Sequence, residues 1–170
     1  DTLVVNASVV VTFDEVAALG FDFHTYEGFE VDLTLTEDKL FGNMDSACRR
    51  CIRKAEKERV LIEEAEDMTF ADDYWGQLTD VFAKQSLVPT YGIERVRKLI
   101  RHIHPTGMLL LLSAPDSSGR CIATGIFPAL NGTMYFWGGA SWRQFQLLRP
   151  NEAIQWYAMK YWKERGMRVY

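Results

Sequence analysis

The chain has 170 residues, of which 48% are hydrophobic, 25% charged and 13% aromatic, with a net charge of -4. That composition fits one ordinary globular domain with a real core, and it excludes a disordered chain, a collagen-like repeat and a disulfide-dense miniprotein. The longest purely apolar run, Met108 to Leu112, falls far short of the roughly 20 residues a membrane span needs, so no membrane span is expected.

The chain opens at Asp1, reads as a processed or trimmed piece, and carries no secretory signal at its start. Thr2 to Thr12, rich in Val, predicts a strand, and Phe29 to Leu35 alternates like a second. Thr36 then caps a helix that runs to about Glu58. Leu40, Met44, Ala47, Cys48, Cys51, Ile52 and Ala55 follow three-four spacing on one face. Arg49, Arg50, Arg53, Lys54 and Lys57 fill the other. Charge is unevenly spread: residues 1–45 hold ten acids against Lys39, residues 49–59 six bases against Glu56 and Glu58, and residues 60–74 six acids and no base. A basic island in an acidic chain points to a local anionic partner rather than to general nucleic-acid binding.

Val60 to Ala65 reads as a short strand. Thr69 to Asp72 resembles a capping box that opens a helix through about Gln85, and Thr90 starts another that Pro105 stops. The period then changes. Gly107–Ala114, Arg120–Leu130 and Thr133–Ala140 predict three apolar strands, with Asn131-Gly132 as a two-residue hairpin turn between the last two. After a loop, Asn151 caps a helix with Ile154, Tyr157, Ala158, Tyr161 and Trp162 inside and Gly166 at its end, and Met167 to Tyr170 begins a strand. A strand after a crossover helix lies parallel to its neighbour, so an α/β fold with a mixed sheet is expected. The layout divides at residue 58, with residues 1–58 as N-terminal strands and the basic helix and 59–170 as the main domain.

This order, together with three sequence words, resembles the GNAT acyltransferase superfamily, and within it the Fem-type branch of peptidoglycan bridge-forming aminoacyltransferases and Fem-like acetyltransferases. The words are Arg49-Arg50-Cys51-Ile52-Arg53-Lys54-Ala55-Glu56-Lys57, Tyr135-Phe136-Trp137-Gly138-Gly139-Ala140-Ser141, and Pro150-Asn151-Glu152-Ala153-Ile154-Gln155-Trp156 continuing to Gly166. The resemblance implies the GNAT fold, a mixed central sheet flanked by helices, and a sheet that continues past Tyr170, so that the chain is a fragment. It implies transfer of an acyl or aminoacyl group to a primary amine of a small molecule or cell-wall precursor. The donor it implies is acyl-coenzyme A, acetyl-coenzyme A included, or aminoacyl-tRNA. The stretch Arg143 to Arg149, where ordinary GNAT enzymes carry a glycine-rich pyrophosphate loop, holds no glycine.

Such chemistry needs a held donor carbonyl, a deprotonated amine and a stabilised oxyanion. The resemblance puts the carbonyl against Trp137, Gly138, Gly139 and Ser141, the two glycines giving close access to the backbone, although by themselves they read as a strand end with a bulge. It puts an anion at the helix opened by Asn151, whose N–H groups at residues 152–154 are free. The basic face of Arg49, Arg50, Arg53 and Lys54 would hold donor phosphates, tRNA included, or lie as a solvated helix face. Tyr135 and Glu152 are the candidate proton carriers. Tyr157 and Tyr170 lie in the same segments, no spacing rule separates the four, and relayed deprotonation through solvent fits equally. Cys48, Cys51 and Cys121 form no disulfide framework, read as small core residues in a reducing, cytoplasmic setting, and leave no metal site expected.

Overall fold

The computed structural model describes residues 13–18, 20 and 28–170. The strand expected at Thr2 to Thr12 lies outside them. Helices α1 (Phe13–Ala18), α2 (Glu37–Asn43) and α3 (Ser46–Lys57) come first. Strand β1 (Glu63–Glu64) leads to helices α4 (Thr69–Ala83) and α5 (Ile93–His102). Strands β2 (Leu109–Pro115), β3 (Cys121–Leu130), β4 (Thr133–Met134) and β5 (Gly138–Ser141) are followed by helix α6 (Pro150–Glu164). Three layers result, with the sheet in the middle. Leu110, Leu112, Phe127 and Met134 pack with Ile154, Ala158 and Trp162 of α6 on one side. Leu109, Leu111, Ile126 and Ala140 pack with Phe70, Tyr74, Val96 and Ile100 of α4 and α5 on the other. Each of the Leu, Ile, Val, Phe and Met side chains contributes about 1.5–3 kcal/mol by leaving water.

The one long helix expected from Thr36 to Glu58 is two. Thr36 caps as expected, its hydroxyl accepting from Lys39 N at 3.4 Å. The helix then stops because Gly42 and Asn43 are weak formers and Met44 turns extended. Asp45 starts α3 afresh, its carboxylate accepting from Ala47 N at 2.6 Å. Thr69 does not cap α4 either. Met68 holds the cap position without a side-chain bond, Thr69 is the first residue of the helix, and its N–H donates to the Asp67 carboxylate at 2.8 Å.

Phe29 to Leu35 is not a strand. Val31 and Leu33 donate to the carbonyls of Tyr170 and Arg168 at 2.7 and 2.9 Å, a short pairing that buries Leu33 and leaves Phe29 outside. Lys163 Nζ locks this segment down by donating to Leu33 O at 2.8 Å. The C-terminal segment likewise forms isolated bridges rather than a strand, antiparallel from Val169 to Asp32 and parallel from Val169 to Thr133. The named strands all pair antiparallel in the order β1-β2-β3-β4, with β5 also on β3.

The hairpin turn forms as expected, with Asn131 and Gly132 at φ 51° and 82°. The strand after it does not run unbroken to Ala140. Ala129 faces Met134, whereas Ile126 faces Gly138, so one extra residue enters between β4 and β5. Tyr135 N bonds Pro128 O at 2.8 Å and Trp137 N bonds Ile126 O at 3.0 Å, so the first register holds through Trp137, and Trp137 and Gly138 stand together opposite Ile126 as the bulge.

Candidate active site

Strand β5 has one partner, β3, and no strand among the described residues pairs with its other edge. In an antiparallel ladder alternate residues turn their N–H and C=O the same way. Trp142 N donates to Ile122 O at 3.0 Å, so Gly139 and Ser141 turn their backbone N–H groups toward the open edge. The C-terminal segment follows β4, where Met134 N bonds Val169 O at 2.9 Å. Beyond the bulge at Trp137 and Gly138, no such bonds continue along β5 among the described residues. The edge of β5 therefore carries outward N–H donors beside a gap in the hydrogen-bonded sheet, a geometry able to bind a carbonyl or an oxyanion.

Packing explains the glycines. A Cβ on Gly138 would lie 2.5 Å from the Tyr74 hydroxyl, and one on Gly139 would lie 3.0 Å from the Phe136 ring and 3.1 Å from Thr124 O. Trp137 closes the start of β5, its ring centroid 4.9 Å from Tyr91 and 6.3 Å from Tyr74. The two tyrosine hydroxyls sit 2.6 Å apart. Tyr74 is fully buried, and burial together with its bond to Tyr91 pushes its proton affinity well above that of an ordinary tyrosine. Beneath β3, Gln77 is also fully buried, accepting from Thr124 Oγ1 at 2.8 Å and donating to Cys121 O at 3.3 Å.

Ser141 ties β5 to α6, its Oγ accepting from Asn151 Nδ2 at 3.1 Å. Asn151 is not the cap of α6. Arg149, at φ 63°, holds that place and Pro150 opens the helix. Ala153 N already bonds Arg149 O at 3.3 Å, so the free N–H groups are those of Asn151 and Glu152 rather than residues 152–154. The Glu152 carboxylate is half-buried, lies 3.7 Å from Arg149 Nη1, and helps to raise the thiol of Cys48 on α3 after burial and Cys51. Tyr135 is half-buried beside the bulge. Tyr170 donates to Gln155 Oε1, and burial pushes its hydroxyl up to about 12. Tyr157 donates to Glu64 Oε1 at 3.1 Å.

The basic face of α3 splits by role. Arg49 turns inward and donates to the carbonyls of Gly42, at 2.8 Å, and Met44, bridging the break between α2 and α3. Arg50, Arg53 and Lys54 are exposed and make no ion pair among the described residues. Arg53 lies over the Phe41 ring at 5.2 Å, Phe41 packs on Trp156 at 5.6 Å, and Lys160 covers Trp156 at 5.7 Å.

Thus Trp137, Gly138, Gly139, Ser141 and Asn151 come together, with Tyr135 and Glu152 at either end of the group. Arg50, Arg53 and Lys54 stand apart on α3. Sequence reasoning missed Tyr74, Gln77 and Tyr91. The only signal was the polar tips of Tyr74 and Gln77 on the apolar face of α4.

The family described as an acetyltransferase (GNAT) domain matches residues 43–170. The chain belongs to that family. Among solved structures it is similar to the crystal structure of FemX, with TM-score 0.78 and 15% identity over 92% of this chain and 58% of that one. It is also similar to L-PGS from Bacillus licheniformis, with TM-score 0.57 and 14% identity over 82% of this chain and 42% of that one. The chain thus spans well under two thirds of either protein, and identities this low show the fold. No curated protein matches it.

Proposed function

We propose that this chain is an N-acyltransferase domain that moves an acyl or aminoacyl group from an activated donor onto a primary amine. The observation that carries the reading is the bulge-opened edge of β5 in a member of the GNAT family. The N–H groups of Gly139 and Ser141 hold the donor carbonyl and the oxyanion that develops as the amine nitrogen attacks. Trp137 and Gly138 shape the approach, and Asn151 fixes Ser141 and the start of α6. Tyr135 and Glu152 carry the protons, Glu152 taking one from the amine and Tyr135 giving one to the leaving group. Residues 59–170 form the transferase unit, and residues 1–58 add the basic helix from a preceding part. A reducing, cytoplasmic setting suits the three free cysteines.

A second reading narrows the donor to aminoacyl-tRNA and the acceptor to a cell-wall precursor. Two observations favour it. Arg50, Arg53 and Lys54 stand exposed on α3, and Arg53 lies over the ring of the Phe41–Trp156 pair, a mixture of cations and aromatic faces suited to nucleic acid. The stretch Arg143–Leu148 is a glycine-free 3-10 helix, ill suited to cradle a coenzyme A pyrophosphate.

Thermal-shift titration with acetyl-coenzyme A, longer acyl-coenzyme A species and a charged tRNA, at two salt concentrations, tests both readings. A donor at about 100 times its dissociation constant raises the midpoint by about 5–10 °C. A shift with acyl-coenzyme A alone establishes that donor and ends the tRNA reading. A salt-sensitive shift with tRNA, lost in Arg50→Glu/Arg53→Glu, establishes the second. Silence with every donor, in this chain and in a longer form carrying it, leaves a binding module with the same fold.

A further inference from the structure

Two thiols on α3 lie outside the acyl-transfer group. Cys48 and Cys51 are three residues apart, and both are free and half-buried rather than sealed in the core. Side chains at that spacing share one face of a helix, with Cβ atoms about 5–6 Å apart, close enough for one ion to bridge their sulfurs. Sequence spacing offers only this pair; the structure adds a third sulfur. Cys48 donates its thiol hydrogen to Met44 Sδ, with the two sulfurs 3.9 Å apart. Met44 is half-buried at the break between α2 and α3, so its thioether meets Cys48 beside the first turn of α3. Two sulfurs that are each about 2.3 Å from one ion stand about 3.8 Å apart in a tetrahedral site and about 4.0 Å in a trigonal one. The pair of Met44 and Cys48 is therefore already at the separation of two ligands sharing an ion. Cys51 is close as well: after burial, its charge is the largest that bears on the Cys48 thiol, ahead of Glu152 and Asp45.

We infer that Met44, Cys48 and Cys51 form a binding site for a soft monovalent cation, copper(I), held by two thiolates and one thioether. The donor set decides the class of ion. Sulfur ligands of these two kinds select copper(I) over hard cations such as magnesium and calcium. Zinc would call for four ligands, and among the described residues no three of His, Cys, Asp and Glu converge to hold an ion. Ligation forms two copper–thiolate bonds and one copper–thioether bond, breaks two S–H bonds and sends both protons to solvent. Copper keeps its oxidation state, and the loaded site carries one net negative charge. That charge falls near the start of a helix of 12 residues, whose N-terminal dipole favours it. Half-burial leaves the sulfurs open to an incoming ion while covering part of the bound one. The inference concerns metal binding alone and stands or falls apart from the acyl chemistry.

Competition with the coloured copper(I)–bicinchoninate complex provides the test, under argon and with excess ascorbate to keep copper monovalent. The reduced chain should take one copper ion per molecule and bleach the complex in proportion. Cys48→Ser and Cys51→Ser should each weaken binding at least tenfold. Met44→Leu, which keeps an apolar side chain of similar volume and so guards against a folding defect, should weaken it at least threefold. Cys121, engaged on β3 by Ala123 O and Gln77, supplies the control, and Cys121→Ser should bind as the parent does. An equal amount of zinc(II) should displace none of the copper. Undiminished colour, binding that survives Cys51→Ser or that depends on Cys121, unchanged affinity in Met44→Leu, or displacement by zinc overturns the inference.

Discussion

The hydroxyl of Tyr74 on α4 lies 2.6 Å from the hydroxyl of Tyr91 in the loop before α5. Tyr74 is fully buried and Tyr91 is half-buried, so the two ends of this bond are not equivalent. A buried O–H left without an acceptor costs about 1–3 kcal/mol. Tyr74 is accordingly the donor, and the proton of Tyr91 is free to turn outward toward the start of β5. Tyr91→Phe should destabilise the chain by about 1–3 kcal/mol, because it orphans the Tyr74 hydroxyl. Tyr74→Phe should cost less than about 1 kcal/mol, because Tyr91 recovers a partner in water. Urea unfolding of both variants reads the difference, and equal losses would refute the assigned direction.

Gly138→Ala brings a methyl group to 2.5 Å from the Tyr74 oxygen but leaves 3.5 Å to the ring carbon that bears it. Overpacking of that kind costs about 1–3 kcal/mol. In a Tyr74→Phe background most of the penalty should vanish, a coupling that a double-mutant cycle measures directly. Gly125→Ala should find no such relief, since its Cβ meets Phe127 and Ile154 carbons at 2.6 and 2.7 Å.

Neighbouring arginines should behave oppositely. Arg49→Ala removes the bridge to the carbonyls of Gly42 and Met44 and should destabilise by about 1–2 kcal/mol. Arg50→Ala, at an exposed position, should stay within about 0.5 kcal/mol of the parent. Chemical denaturation of the two variants distinguishes a structural arginine from one left available to a ligand.

Alkaline pH should unfold the chain in a defined order. Burial raises the Cys121 thiol from 9.0 to about 11 and the Tyr170 hydroxyl from 10.0 to about 12. A group whose folded affinity for its proton is raised contributes stability that is fully present below the unfolded pKa and is lost above it. Stability should therefore hold up to about pH 8.5 and decline from pH 9 upward. In Cys121→Ala the decline above pH 9 should shrink to the part that Cys48, whose thiol burial also raises, contributes, with the tyrosines acting from about pH 10. Urea midpoints measured across pH 7–11 follow the change, and a decline of unchanged size would remove Cys121 from the account.

Long amphipathic segments were legible in the sequence because a single face decides them, and α3 and α6 carry their apolar stripes where expected. So was the Asn131-Gly132 turn, whose backbone demands those residue types. The break at Met44 was not, since the apolar spacing of Leu40, Met44 and Ala47 runs unchanged across it. The added residue at Trp137–Gly138 was legible only through the glycines, which mark a bulge, because the residues around it are apolar or aromatic and hydrophobicity alone does not record an added residue. Arg49 and Arg50 look alike in sequence, and only the carbonyls exposed by the helix break distinguish them. Tyr74 and Tyr91 meet through the packing of α4 against β5, which no local spacing encodes.

The residue added at Trp137–Gly138 has a consequence of parity. Met134 and Ala140 are an even number of positions apart, and an uninterrupted strand would leave both on one face. Instead Met134 belongs to the core under α6 and Ala140 to the core under α4. The bulge thus exchanges inside for outside for everything downstream. Without it, Ser141 would face Gly76 and Trp142 would be driven against the first turn of α6. One supernumerary residue decides which helix meets the hydroxyl and which meets the indole.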